Sequence, residues 1–158
     1  MSNISFSADG SVITVIADFD TTPNQLWQLF ENPRLLEKWW GPPSWPATFS
    51  RYEFHPDGEA RYHMTGPDGS QSHGWWQFHA TTFPVVEFTD GFSDSEGVPD
   101  TALPTNRTRV EISNVDGLGR MTFLSEFESP QALSTVLEMG MQEGMTLALA
   151  QIDGLLAG

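Results

Sequence analysis

The side chains best suited to metal or acid–base chemistry are the four histidines, His55, His63, His73 and His79. A metal site needs ligands that converge on one point, such as histidines four apart on a helix or in register on neighbouring strands. His73 and His79 fall on one predicted strand, where they lie roughly 20 Å apart. The sequence therefore predicts no metal and no cofactor. His63 is a candidate for a polar group that faces a ligand cavity.

Nucleophilic catalysis finds no supporting motif. The chain contains no cysteine and no Gly-x-Ser-x-Gly elbow. Pairs of carboxylates such as Asp18 and Asp20 perform acid–base chemistry only where burial brings them face to face. On exposed strand faces they are solvating groups. We therefore predict no catalytic residues, and an enzyme is the weaker alternative.

Aromatic and methionine side chains form the most distinctive set of candidate binding residues. Phe, Trp and Tyr make up 12% of the chain, with six Trp. Methionine thioethers adapt to ligands of different shape. An ordinary aromatic core would use the same residue types, so both interpretations stay open. The candidates for the lining of an apolar cavity are Trp39, Trp40, Tyr62, His63, Met64, Trp76, Phe78, Phe88, Phe123, Met141 and Met145.

The charge balance narrows the choice of partners. The 7 Lys+Arg against 21 Asp+Glu give a formal net charge of −14. This charge repels nucleic-acid phosphates and anionic lipid head groups, so neither nucleic acid nor membrane is expected as a partner. Scattered acids are typical of solubility, and an acidic face for a protein partner is the alternative. With no cysteine and no signal peptide, we expect a cytoplasmic protein, and a homo-oligomer is left open.

Arg61 is one of only 7 Lys and Arg residues in the chain. It is next to Tyr62 on a predicted strand, where successive side chains point to opposite faces. The alternation predicts an outward arginine paired with a carboxylate. An inward Arg61 would indicate an anionic ligand group.

Capping motifs mark where the helices begin. A capping residue precedes a proline at Thr22-Pro23, Asn32-Pro33 and Ser129-Pro130. The capping side chain accepts from a free backbone N–H, and proline lacks the N–H that the first helical position would leave unpaired. These motifs and the apolar periodicity predict helices over residues 23–30, 33–39 and 130–156.

The remaining segments are predicted to be strands, and hairpin signals that contain glycine separate several of them. Because no helix lies between consecutive later strands, the sheet should be antiparallel. The order β-α-α-β6-α predicts an α+β fold in which a curved sheet packs around a long C-terminal helix. Strands are expected over residues 13–19, 48–54, 59–64, 73–82, 85–91, 108–115 and 120–127.

The chain is predicted to form one domain over residues 1–158, with a core from about 12 to 156. Residues 92–106 are rich in Ser, Asp, Gly, Pro and Thr and lack periodicity, which predicts a loop. A mobile loop is the favoured interpretation, and a lid over a binding site is the alternative.

Several motifs together resemble a known family. They are Phe19-Asp20, Thr22-Pro23, Trp39-Trp40-Gly41-Pro42, Gly66-Pro67-Asp68-Gly69 and Gly74-Trp75-Trp76. The chain resembles the bacterial proteins of the activator of Hsp90 ATPase homologue 1-like (AHSA1-like) family, within the START-like, or Bet v 1-like, superfamily. The resemblance covers residues 12–156. It implies a helix-grip fold whose sheet and C-terminal helix enclose a hydrophobic cavity.

Fold alone does not fix the chemistry, because relatives of this fold bind lipids and hormones, cyclise polyketides or activate chaperones. The favoured hypothesis is a binding module for a hydrophobic or aromatic small molecule. A chaperone-activator-like domain that docks onto a protein is the alternative, and a polyketide-cyclase-like enzyme is the weaker one. An apolar cavity of some hundreds of Å³ would favour the first over the second.

Overall fold

The computed structural model describes residues 3–157 and has the predicted α+β architecture. One antiparallel sheet of eight strands has the order β1-β2-β8-β7-β6-β5-β4-β3 and curves around the C-terminal helices. The elements are β1 (Asn3–Asp9), β2 (Val12–Phe19), α1 (Pro23–Glu31), α2 (Pro33–Leu36), β3 (Ala47–Tyr52), β4 (Glu59–Thr65), β5 (Gln71–Thr82), β6 (Val85–Ser93), β7 (Asn106–Val115), β8 (Leu118–Phe127), α3 (Pro130–Glu138) and α4 (Met141–Ala157).

The predicted caps begin three of the helices. In each case the side chain of the capping residue accepts from a backbone N–H in the first turn, and proline follows it at the start of the helix. The N–H groups of Gln25, Arg34 and Ala132 donate to Thr22, Asn32 and Ser129 at 3.2, 3.0 and 3.1 Å, respectively.

The predicted continuous C-terminal helix is wrong in one respect, because it consists of two helices. Gly140 adopts a φ of +89°, in the left-handed region that ends helices. Its N–H donates to the carbonyl of Leu137 at 3.0 Å, and α4 begins at the next residue. Within residues 3–157, no helix is long and apolar enough to cross a membrane.

The sheet also contains one strand more than the seven that were predicted. Strand β1 pairs with β2 along its whole length, from Asn3 opposite Asp18 to Asp9 opposite Val12. Its Ile4 and Phe6 are partly buried against the core. Only Ser5 separates these two side chains, and two apolar residues are too short an alternation to indicate a strand. The core therefore begins before residue 12.

Trp39 lies in the connection between α2 and β3 and packs into the core. Its side chain is fully buried, and its indole N–H donates to the carbonyl of Leu29 at 3.1 Å. The ring meets Phe30 edge-on, with 5.2 Å between centroids. Gly41 follows because a Cβ there would lie 2.0 Å from the carbonyl oxygen of Trp45. The Trp-Trp-Gly-Pro run thus joins helix to sheet through one buried aromatic and one tight turn.

All six arginines form ion pairs, five of them on strands of the sheet and Arg34 with Glu37 at the end of helix α2. Arg120 binds Asp18 across β8 and β2 with two hydrogen bonds, of 2.7 and 2.9 Å, which lower the pKa of Asp18. Arg61 binds Glu59 at 2.8 Å and donates to the carbonyl of Gly97 at 3.1 Å. The prediction of an outward, carboxylate-paired Arg61 is confirmed.

Candidate ligand pocket

A pocket of about 310 Å³ lies between the inner face of the sheet and the C-terminal helices. Strands β2, β4, β5, β6, β7 and β8 form one wall, and α3, α4 and the break between them form the other. Most of the lining is apolar. The apolar side chains are Val15, Trp40, Met64, Phe92, Phe123, Phe127, Val136, Met139, Met141, Met145 and Ala148.

Six of the eleven candidate residues line this pocket. Strand β4 supplies two of them, β8 supplies one, and α4 supplies two that lie four residues apart on one helical face. The sixth is the second tryptophan of the Trp-Trp pair. The six are Trp40, Tyr62, Met64, Phe123, Met141 and Met145.

Four other candidates lie in the packed core and do not line the pocket. Trp39, Trp76, Phe78 and Phe88 are all fully buried. Trp76 stacks on Phe88 with 4.2 Å between ring centroids. Rings from β3 and the segment after it fill the space in front of Phe78, with centroids 5.4 and 5.3 Å from it. The interior is therefore divided into an aromatic core at one end and a pocket at the other.

His63 does not line the pocket, which corrects its prediction as a cavity residue. Successive side chains of a strand point to opposite faces, and Tyr62 and Met64 on either side of it both line the pocket. His63 instead pairs across the strands with His73, with 5.7 Å between ring centroids. Within residues 3–157, no three His, Cys, Asp or Glu side chains are grouped so that they could hold a metal ion.

A polar stripe crosses one end of the pocket, and the sequence analysis did not identify it. Asp90 is opposite Asn106 in the β6–β7 pairing, and Thr108 is opposite Ser125 in the β7–β8 pairing. The Thr108 hydroxyl donates to the Asn106 side chain at 2.5 Å and lies 2.8 Å from the Ser125 hydroxyl. All four residues line the pocket. The stripe gives an otherwise apolar pocket one hydrogen-bonding end.

Asp90 and Tyr62 form the centre of this polar end. The Tyr62 hydroxyl donates to Oδ1 of Asp90 at 3.3 Å. Burial raises the pKa of Asp90 to about 7, although the nearby donors of Tyr62, Trp76 and Asn106 act in the opposite direction. Burial, followed by the nearby Asp90 charge, also raises the pKa of Tyr62. The pocket therefore holds a carboxyl group whose charge is poorly solvated.

Two buried tryptophan N–H groups beside Tyr62 lack well-formed hydrogen bonds. The Trp40 and Trp76 rings lie 6.4 and 5.8 Å from the Tyr62 ring. Both N–H groups are close enough to the Tyr62 hydroxyl to lower its pKa, and the N–H of Trp76 also lowers the pKa of Asp90, but neither N–H has a partner in good hydrogen-bond geometry. A buried donor without a well-placed acceptor is uncommon and costs free energy. The polar end thus combines a partly satisfied acceptor with poorly satisfied donors.

Gly74 allows Tyr62 to reach Asp90. It is opposite Tyr62 in the β4–β5 pairing, and a Cβ at this position would lie 2.4 Å from Cζ of the Tyr62 ring. Only glycine leaves room for the ring to lie flat across the neighbouring strand.

Gly74→Ala is expected to lower the free energy of unfolding by about 1–3 kcal/mol, because the added methyl group displaces the Tyr62 ring. Urea denaturation measures the loss. The matched control is Gly154→Ala on α4, where nothing lies within 4 Å of an added Cβ. This control should raise stability by up to about 1 kcal/mol. A Gly74→Ala protein as stable as the wild type would show that the ring does not need this space.

Comparisons with known proteins agree with this architecture. A solution NMR structure of a protein from Arthrobacter aurescens is 42% identical, covers 97% of this chain and 91% of its own, and superimposes with a TM-score of 0.91. A crystal structure from Mycobacterium smegmatis is 39% identical, covers 98% and 95%, and has a TM-score of 0.88. The AHSA1 protein of Silicibacter pomeroyi, at 18% identity, 92% and 97% coverage and a TM-score of 0.74, shares the fold.

No curated protein matches the chain. The model of one family, described as activator of Hsp90 ATPase homolog 1-like protein, matches residues 20–157. This match includes the two short helices, six of the eight strands (β3 to β8) and the C-terminal helices. The chain therefore belongs to the family of activator of Hsp90 ATPase homolog 1-like proteins.

Proposed function

We propose that this protein binds an apolar or aromatic small molecule in the pocket between the sheet and helix α4. The observation that carries the proposal is the pocket itself, with a volume of about 310 Å³ and a mostly apolar lining. Small-molecule sites are typically concave, mostly apolar and of this size or larger, with a few polar groups that orient the ligand.

The α4 wall of the pocket is suited to ligands of varied shape. Met141 and Met145 are only partly buried, and both side chains face the pocket. Methionine side chains are unbranched and polarisable, so they repack around different ligands at little cost. The opposite wall is a hydrogen-bonded sheet and is far less free to adapt.

The break between α3 and α4 is the entrance that we propose. Met139 and Gly140 both line the pocket, and Met139 is 54% exposed to solvent. A large apolar side chain with that exposure lies where pocket and solvent meet. The Gly140 position therefore offers a passage from solvent to the pocket without disturbing the sheet.

A thermal-shift series with aromatic hydrocarbons tests the proposal. A ligand that binds only the folded state raises the melting temperature in a concentration-dependent way. Met141→Trp fills part of the pocket and should abolish the shift while the protein stays folded. Leu147→Trp is the matched control, because Leu147 is on the same helix, is 42% exposed and is not part of the pocket lining. The ligand should raise the melting temperature of Leu147→Trp as much as that of the wild type.

Three results would contradict the proposal. Equal shifts in Met141→Trp and wild type would place the ligand outside the pocket. No shift with ligands of any size would favour the protein-docking alternative, which is supported by the family's description as activators of an Hsp90 ATPase and by the net charge of −14. Turnover of a polyketide-like substrate would instead favour the enzyme.

A further inference from the structure

We propose that the pocket selects apolar ligands that carry one uncharged hydroxyl group, an alcohol or a phenol, which binds at the Asp90 end. The inference deepens the proposed function and rests on it. It follows from the hydrogen-bonding groups at the polar stripe, which need a ligand group that both donates and accepts.

The acceptor at this end is the Asp90 carboxyl group. A carboxylate offers about four lone-pair sites. Tyr62 and Asn106 donate to it, and the part of Asp90 that remains accessible faces the pocket. A hydroxyl hydrogen on a ligand therefore finds an acceptor at the end of the apolar lining.

The donor beside the pocket is the buried indole N–H of Trp40. Trp40 lines the pocket, and its N–H lowers the pKa of Tyr62 but has no partner in good hydrogen-bond geometry. Its ring is 4.8 Å from the ring of Trp76, whose N–H is poorly satisfied in the same way. A hydroxyl oxygen that accepts from one of these donors would recover the cost of leaving it unpaired. A hydrocarbon supplies no such acceptor.

Charged end groups fit this site less well than a hydroxyl. Above its pKa of about 7 Asp90 is ionised, and a carboxylate or phosphate would then lie beside it in a protein whose net charge is −14, so like charges would oppose binding. An ammonium group pairs with Asp90 but has no acceptor for the indole N–H groups. A hydroxyl group satisfies both partners and brings no charge into the pocket.

The test compares ligands of one shape that differ only in the end group. The probes are 2-naphthol, 2-methylnaphthalene, 2-naphthoate and 2-naphthylmethylammonium, with phenol and toluene as a smaller pair. Calorimetric titration measures Kd for each. We expect each hydroxyl compound to bind about tenfold more tightly than its methyl analogue, the effect of one good hydrogen bond in a desolvated site. Both naphthalene ions should bind more weakly than 2-naphthol.

Substitutions of Asp90 and Trp40 test which groups produce the preference for a hydroxyl ligand. Asp90→Leu should remove the hydroxyl preference while the methyl analogue still binds, whereas Asp90→Asn, which keeps an acceptor, should retain part of it. Trp40→Phe keeps the ring and removes the N–H, so it should reduce the preference severalfold. The matched control Glu126→Gln removes an exposed carboxylate of β8 and should behave as the wild type.

The other outcomes contradict either the hydroxyl preference or the proposed function. Equal Kd values for the hydroxyl and methyl compounds would overturn the hydroxyl preference but would still support an apolar ligand pocket. Tightest binding of the ammonium or the carboxylate compound would overturn it in favour of a charged ligand. An unchanged hydroxyl preference in both Asp90→Leu and Trp40→Phe would show that the ligand hydroxyl contacts other residues. If neither the naphthalene pair nor the benzene pair binds at all, the proposed function itself is wrong.

Discussion

Trp76→Ala is expected to lower the free energy of unfolding by about 3–5 kcal/mol, the usual cost of deleting a large aromatic side chain from a packed core. Trp76 is fully buried at the junction between the aromatic core and the pocket. Its ring contacts Phe88, Trp40 and Phe49, with 4.2, 4.8 and 5.4 Å between centroids. Urea denaturation, followed by far-ultraviolet circular dichroism, measures the loss.

The neighbouring residue provides a matched control. Trp75 is on the same strand, points to the opposite face and is only partly buried, so Trp75→Ala should cost less. Trp76→Phe is the second control. It keeps a ring in the core and removes an indole N–H that has no partner in good hydrogen-bond geometry, so it should cost less than half of the alanine substitution. Equal losses in Trp75→Ala and Trp76→Ala would show that the buried Trp76 ring contributes no more to stability than the partly buried Trp75 ring.

Local signals predicted most of the fold because each has a local cause. The caps at Thr22, Asn32 and Ser129 depend on hydrogen bonds that reach only two or three residues along the chain. The six later strands lie close to their predicted bounds because each ends at a turn signal, a hairpin glycine in several cases and Pro84 between β5 and β6. The antiparallel arrangement followed from the lack of helices between them.

The two errors in the fold have physical causes that apolar periodicity does not contain. Strand β1 presents only Ile4 and Phe6 to the core and is held mainly by its backbone pairing with β2. The apolar stripe continues through Gly140, so periodicity alone predicted one helix. The left-handed backbone of this glycine ends α3, and that conformation depends on how the two helices pack on the sheet.

The candidate site was predicted less completely than the fold. Strand alternation placed Tyr62 and Phe123 on the inner face, but alternation does not say which inner side chains line a space and which pack together. Trp76, Phe78 and Phe88 are inner residues that are packed. That division depends on contacts between strands that are distant in sequence.

Asp90 was missed although the sequence carries a signal for it. Val86, Phe88 and Asp90 alternate along β6, so the carboxyl group shares the buried face of two apolar residues. Thr108 and Ser125 occupy equivalent inner positions on the next two strands. A polar residue at the same end of three adjacent strands indicates a built polar site more strongly than any single histidine does.

Asp90→Asn is expected to make the protein progressively more stable than the wild type as the pH rises from about 4 to 7. Burial raises the pKa of Asp90 to about 7 from an ordinary value of 3.8. In this range the folded wild type therefore holds a proton that the unfolded chain has released. Folding then binds a proton, and the stability that the neutral carboxyl group contributes is lost as the pH rises through the window.

The slope of the effect is limited by the single proton involved, at about 1.4 kcal/mol per pH unit. Asparagine has the shape of the neutral carboxyl group and does not ionise, so the difference between variant and wild type should vanish near pH 4 and level off above about pH 7. Tyr62, the titratable partner that hydrogen-bonds to Asp90, stays neutral throughout because its own pKa is raised.

Urea denaturation at half-unit steps of pH measures the free energy of unfolding of both proteins. The control Glu126→Gln removes a carboxylate from the exposed face of β8, and its difference from the wild type should show no comparable rise. Parallel stability curves for Asp90→Asn and wild type would show that the Asp90 charge is solvated, and the pocket would then not have the poorly hydrated polar end that its geometry indicates.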